Sequence, residues 1–234
     1  MKTKINLNRR DWIKYFGMGG ISLSIIGCKS FTPNETFKES TEEQNEITPS
    51  EDLMFEHGVI ERLLLIYNEF AKRIESNENV SSKLISDTAD IVRGFCENYH
   101  EMNEELYVFP YIEQMGSQTD LVKTLQRQHD LGRKVTDNIR KLAEQQNPDF
   151  KQLAKQMKSY TFMYIPHISR ENSIIFRSLC KLMPENDYKE LGENFERTED
   201  EHLGENGYDN TLSKVISIET ELGINNLVKY SPAI

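Results

Sequence analysis

Two segments of the chain carry the same phrase. Residues 99–109 read YHEMNEELYVF and residues 164–176 read YIPHISRENSIIF. Aligned on the histidine, both read His-x3-Glu-x4-Phe: His100, Glu104 and Phe109, then His167, Glu171 and Phe176. On an α-helix, residues i and i+4 lie one turn apart on one face, so each imidazole and its carboxylate point into the same volume. Two further histidines, His57 and His129, stand on apolar stripes of their own. If four helices bring these six side chains together, four imidazoles and two carboxylates meet in a protein interior. An ionised group in a dry interior costs several kcal/mol even after relaxation. Two metal ions, bridged by Glu104 and Glu171 and each held by two histidines, would satisfy every group. Mixed imidazole and carboxylate donors suit iron or manganese, and suit zinc less when carboxylates bridge. One histidine on an apolar stripe is ordinarily a packed core residue, and one His/Glu pair an ordinary surface contact. The argument for metal is the coincidence of four histidines, two of them with the same glutamate spacing.

The elements that must position these residues are helices. From Ser50 onward, where Ser50 offers an N-cap followed by two acids, the apolar period is three to four residues. Leu53, His57, Ile60, Leu64, Tyr67 and Ala71 form one stripe. A second helix near 80–114 carries Ala89, Val92, Cys96, His100, Glu104, Tyr107 and Tyr111 on one side. A third near 120–144 shows Leu121, Leu125, His129, Gly132, Val135, Ile139 and Leu142. A fourth near 149–182 shows Leu153, Met157, Tyr160, Tyr164, His167, Glu171, Ile174 and Ser178. Short connections between long helices favour antiparallel neighbours, so the expected fold is all-α, an up-down-up-down four-helix bundle over residues 51–183. Residues 184–234 read as a helical extension, near 185–203 and 209–222, that packs outside the bundle or caps it.

The chain has 234 residues and a net charge of −10. Nothing in it forms a basic stripe for phosphates, so a nucleic-acid partner is not expected. The first 28 residues read as an address. A basic start with Arg9-Arg10 precedes an apolar run too short for a comfortable membrane span, ending in Ile25-Ile26-Gly27-Cys28. This resembles a twin-arginine export signal closed by a lipobox, which implies cleavage before Cys28 and a lipid on it. Residues 29–50, rich in Thr, Glu, Ser and Asn, read as a disordered tether. The expected location is therefore outside the cytoplasm, anchored to a membrane through the Cys28 lipid alone and facing the periplasm or cell exterior.

The combination of EDLMFEHGVIERLL around His57, His100 and Glu104 before Val108-Phe109-Pro110, LQRQHDLGR around His129, and YIPHISRENSIIF resembles the hemerythrin-like, His-His-Glu cation-binding domain. That resemblance implies a non-haem di-iron centre, often oxo-bridged, with His57, His100, His129 and His167 as terminal ligands and Glu104 and Glu171 bridging. The oxygen-carrying members use five histidines. Here the fifth, His202 in TEDEHLGENG, lies on the helical extension and could ligate, line a channel or cap the core. Without it the site resembles the symmetric four-histidine members associated with nitric-oxide response and iron–sulfur repair.

Around the site, Tyr99, Tyr107, Tyr160 and Tyr164 read first as core packing with hydroxyls that need partners. Gly58 and Gly132 sit close to His57 and His129, where a helix glycine calls for a reason such as room for a ligand or a close helix contact. Pro166 suggests a kink that re-aims His167. Cys96 reads as a buried thiol. The function these features point to is capture of a small molecule (dioxygen, nitric oxide or peroxide) by a carrier, sensor or scavenger, without fast turnover. Two alternatives stand beside it. The strings Glu97/His100 and Glu199/His202 fit the Glu-x-x-His of a ferritin-like di-iron oxidase but leave His57, His129 and His167 unexplained. A surface lipoprotein whose bundle is stapled by metal is the other.

Overall fold

A computed structural model of the protein describes residues 47–231. The expected export signal with Arg9 and Arg10, the lipidation site Cys28 and nearly all of the tether lie outside the described residues. Among the described residues there are helices and turns but no strand, and no helix is long and apolar enough to cross a membrane.

Among the described residues, six helices follow one another. Helix α1 is Pro49–Glu75, α2 runs over 82–114, α3 is Thr119–Ala143, α4 runs over 150–182, α5 is Glu185–Leu203 and α6 is Gly207–Leu222. A 3-10 turn, Leu227–Tyr230, follows. The start of α1 comes two residues earlier than the sequence suggests, because Thr48 and not Ser50 caps it. The Thr48 side chain accepts from the Glu51 amide, and the Glu51 carboxylate accepts from the Thr48 amide at 3.0 Å. This reciprocal box satisfies two otherwise orphaned donors, and such a cap is worth about 1 kcal/mol. Ser50 is instead buried in the first turn, where its hydroxyl donates to the Phe176 carbonyl at 3.2 Å. Asp149 caps α4 by accepting from the Gln152 amide at 2.9 Å.

Two of the long helices are not uniform. Helix α2 is α-helical over Ser82–Ile91, π-helical over Val92–His100, α-helical over Glu101–Asn103, π-helical again over Glu104–Val108, and α-helical over Phe109–Gln114. Helix α4 is α-helical over Phe150–Arg170, π-helical over Glu171–Ile175 and α-helical over Phe176–Leu182. A π-turn spends one extra residue per turn, and the buried stripes show it. Beyond Glu104 the buried stripe runs through Val108 and Ile112, with Phe109 beside it, and not through the expected Tyr107 and Tyr111. Beyond Glu171 it runs through Ile175 and Leu179, with Phe176 beside it, and not through Ile174 and Ser178. Both stripes slip by one residue, at the two glutamates.

Helix α4 packs most extensively on α1 and also on α3; α2 packs on α3 and on α1. The apolar interior forms two clusters. One holds Val59, Ile60, Tyr67, Phe95, Tyr99, Ile139, Tyr160 and Tyr164, and the other Leu53, Val108, Phe109, Leu125, Ile175 and Phe176. Along α1 and α3 the chain passes from the second cluster to the first; along α2 and α4 it passes from the first to the second. The helical extension covers both. Val215, Ile218 and Leu222 of α6 join the first cluster, and Leu191 and Phe195 of α5 join the second. Every one of the four long helices carries its histidine at the boundary between the two clusters.

Candidate metal centre

At that boundary the six side chains singled out in the sequence lie together, each at most 2 % exposed. His57 Nε2 stands 3.4 Å from Glu171 Oε2, and His129 Nε2 stands 3.4 Å from Glu104 Oε2. His100 Nε2 is 3.7 Å from Glu104 Oε1, and His167 Nε2 is 2.9 Å from Glu171 Oε1. His129 and His167 face each other, Nε2 to Nε2, at 3.1 Å. Glu104, His129, His167 and Glu171 offer ligand atoms within 4.8 Å of one another, and His57, His100 and Glu104 do the same. A third group, Glu101, Glu105 and His129, already has its cation: Arg133 Nη2 lies 2.9 Å from Glu101 and 2.6 Å from Glu105.

The other face of each imidazole is held by a residue next to a member of the six. His57 Nδ1 lies 2.7 Å from Asn172 Oδ1, and His129 Nδ1 lies 2.9 Å from Glu105 Oε1. His100 Nδ1 lies 2.7 Å from Glu56 Oε2, and His167 Nδ1 lies 2.9 Å from Gln128 Oε1. Each glutamate of the repeated phrase is thus followed by the residue that steadies a histidine on α1 or α3. Each histidine on α1 or α3 is preceded by the residue that steadies a histidine on α2 or α4. The pair His57 and His100 receives one amide and one carboxylate, and so does the pair His129 and His167. Such partners fix the tautomer and orientation of a metal-binding imidazole. The pattern could have been sought in the sequence only after the pairing of helices was known, and these four residues were missed there.

The phenylalanines of the phrase complete the symmetry. The amide of Phe109 donates to the Glu104 carbonyl and that of Phe176 to the Glu171 carbonyl, the five-residue bond of a π-turn. The Phe109 ring stacks on His129 at 5.5 Å, and the Phe176 ring stacks on His57 at 5.2 Å.

With every Nδ1 facing an oxygen, the hydrogen of each neutral ring sits there, and the Nε2 lone pairs all point inward. They point at carboxylates that are themselves acceptors. None of the four oxygens of Glu104 and Glu171 accepts a hydrogen bond. Acceptors facing acceptors in a dry interior are unfavourable unless a cation sits among them. The acid–base balance says the same. Burial and the facing Glu171 charge push the Glu104 carboxyl well up. Burial opposes charge on Glu171 too, and only positive charge at the His167 and His57 imidazoles, the place a bound cation would take, brings that carboxyl down. Burial and the neighbouring His57 hold His100 well below the usual imidazole range, in the neutral form that binds metal. The residues present therefore fit a pair of metal ions.

Residues 48–179 match the hemerythrin HHE cation binding domain. The chain belongs to the hemerythrin HHE cation-binding family. Its sequence is also similar to uncharacterized proteins of Mycobacterium bovis and Mycobacterium tuberculosis, at 36 % identity over 92 % of this chain and 86 % of theirs. No solved structure matches it.

Other expected residues fall elsewhere. His202 is exposed near the end of α5 and belongs to none of the clusters. Its helix turns Thr198 and Glu199 inward instead, and Thr198 donates to Asn103 Oδ1 at 2.7 Å. Glu97 is engaged by Thr136 at 2.6 Å and Arg93 at 3.0 Å, and Glu199 accepts from the Tyr208 amide at 2.8 Å. Of the four tyrosines read as packing, three hydroxyls have polar partners: Tyr99 donates to Glu56 at 2.6 Å, Tyr164 donates to Glu101, and the Tyr160 hydroxyl lies 3.8 Å from the Cys96 thiol. Gly58 is exposed with open space around it, whereas a Cβ on Gly132 would lie 2.7 Å from the Tyr164 hydroxyl. Close packing of Tyr164, not room for a ligand, accounts for Gly132. Cys96 is a free, buried thiol.

Proposed function

We propose that this chain is a non-haem di-iron protein that binds a small molecule, dioxygen, nitric oxide or peroxide, as a carrier, sensor or scavenger. The observation that carries the reading is the set of four inward Nε2 atoms around the orphaned oxygens of Glu104 and Glu171. His57 and His100 would hold one ion, His129 and His167 the other, and the two glutamates would bridge them within an up-down-up-down four-helix bundle. Each ion would then be held by two imidazoles and the shared carboxylates of Glu104 and Glu171. Non-haem iron with so few protein donors keeps positions open for a small ligand. With His202 outside, the two halves are alike, which supports the symmetric four-histidine arrangement. The address at residues 1–28 supports an exported protein held at a membrane by a lipid on Cys28.

A ferritin-like oxidase is disfavoured by the placement of Glu97 and Glu199, which point to Thr136 and Arg93 and to the Tyr208 amide. The test against a purely structural metal is removal by a chelator. Loss of ferric absorption and of the response to added nitric oxide, with helicity largely kept, supports a ligand-binding centre. Collapse of the helical signal on metal loss, with no optical response to any small ligand beforehand, overturns it in favour of a staple.

A further inference from the structure

The centre's symmetry is broken on one side by a chain of oxidisable side chains. Tyr164 precedes His167 by three residues, and its ring lies 5.1 Å from that imidazole. The residue in the same place on α2 is Glu97, three before His100. Glu101, which follows His100, accepts the Tyr164 hydroxyl; its counterpart after His167 is Ile168, which is apolar. Behind Tyr164, the Tyr160 ring is stacked on it at 4.3 Å with an interplanar angle of 11°. Tyr67 and Tyr160 meet in a T-shaped arrangement with ring centroids 5.7 Å apart. The Cys96 thiol is 3.8 Å from the Tyr160 hydroxyl and 3.8 Å from Glu101 Oε1. All four side chains are buried.

Packing alone does not explain Tyr164. A phenylalanine would fill the same volume without bringing a hydroxyl against a buried carboxylate. Glycine is disfavoured inside a helix, yet Gly132 clears the space that this hydroxyl occupies. Arg133 lies 2.9 Å from Glu101 Oε2 and fixes the carboxylate that receives the hydrogen bond.

We propose that Tyr164 is a one-electron outlet of the metal centre, with Glu101 as its proton acceptor and the stacked Tyr160 ring as the partner that spreads the resulting hole. The proposal rests on the metal-centre reading above. A first peroxide would take a diferrous pair to the diferric state and a second would oxidise it further, each leaving as water or hydroxide; Tyr164 then gives one electron back past His167 and its hydroxyl proton to Glu101. The products are a neutral phenoxyl radical on Tyr164, a protonated Glu101 and a metal pair reduced by one electron. The Tyr164 hydroxyl already donates to Glu101, so the electron and the proton have a common point of departure. Because Tyr160, Tyr67 and Cys96 are all buried, the chain stores an oxidising equivalent inside the bundle.

The test uses the full chain loaded anaerobically with ferrous iron, its metal content measured, then mixed with hydrogen peroxide and frozen for electron paramagnetic resonance. The expected result is a tyrosyl radical in the wild type. In Tyr164→Phe it falls at least tenfold, with iron content and the optical response to peroxide unchanged. Gly132→Ala, which displaces the hydroxyl from Glu101, should lower the yield and alter the hyperfine pattern of what remains. A radical of wild-type amplitude in Tyr164→Phe overturns the proposal. So does a wild type whose iron bands respond to peroxide without any protein radical. Failure to take up iron at all would instead sink the metal-centre reading, and the outlet with it.

Discussion

The amide of Phe176 bonds to the carbonyl of Glu171, five residues back, while its ring stacks on His57 at 5.2 Å. Glu104 and Phe109 do the same on the other side, with His129 as the stacked ring. The repeated phrase is therefore one local device used twice. It widens a helix at the glutamate, and it backs an imidazole of the facing helix with an aromatic ring. The widened turn also sets which residues are buried beyond it. Ile175 lies in the core and Ile174 is only half-buried. Ile175→Ala should cost about 2–5 kcal/mol, the usual range for such a core truncation, and Ile174→Ala distinctly less. Urea denaturation of the two variants checks the order; a regular α-helix through Glu171 would reverse it.

The two glycines beside the histidines should respond in opposite directions. Gly58 meets nothing within 4 Å, so Gly58→Ala should stabilise the protein by roughly 0.5–1 kcal/mol through helix propensity. Gly132→Ala drives a methyl to 2.7 Å from the Tyr164 hydroxyl, and overpacking of this kind costs about 1–3 kcal/mol. Thermal melting of the two variants separates them.

The residues that steady the imidazoles should matter to metal affinity almost as much as the ligands. Glu56 accepts from the Tyr99 hydroxyl and faces His100 Nδ1 at 2.7 Å. Glu56→Gln keeps the shape and removes the charge, so the His57 and His100 position should lose affinity by about 10–100-fold. Competition with a chromophoric chelator should then resolve one weakened ion and one unchanged.

Glu97 gives a pH signature. Burial lifts its carboxyl to about 7. An acid whose pKa is higher folded than unfolded destabilises the fold progressively as pH rises from its unfolded value to its folded one. Below about pH 4.5 it is protonated in both states and costs nothing. Between there and pH 7 the penalty grows, to roughly 3 kcal/mol by the unit conversion, and then stays level. Glu97→Gln should therefore match the wild type near pH 4.5 and be the more stable protein at pH 8. Denaturation midpoints across that range check the sign. A gap that shrinks as pH rises would mean that the Arg93 pairing dominates.

The helices and the six central side chains were legible in the sequence because a period of 3.6 and an i, i+4 spacing are local properties. Two things were not. The slip of both stripes by one residue arises from π-turns, and period counting assumes a uniform helix. Its trace, Glu-x4-Phe, was present in the repeated phrase but has meaning only as a five-residue backbone bond. The second is the crosswise support by Glu56, Gln128, Glu105 and Asn172. Each is an unremarkable polar residue beside a ligand, and its target lies on another helix. His202 lies seven residues after the buried Phe195, which by spacing alone puts it on the same helix face. Near the end of α5, with Thr198 and Glu199 turned inward, it faces outward instead.

Metal content per chain, measured on protein purified aerobically, tests the central claim most directly, with a Glu104→Ala/Glu171→Ala variant prepared in parallel. The wild type should hold two ions, one for each histidine pair. The double variant should hold far less, and the wild-type ions should leave as pH falls through the imidazole range near 6–7. A folded wild type that carries no metal, or a variant that keeps both ions, would contradict it.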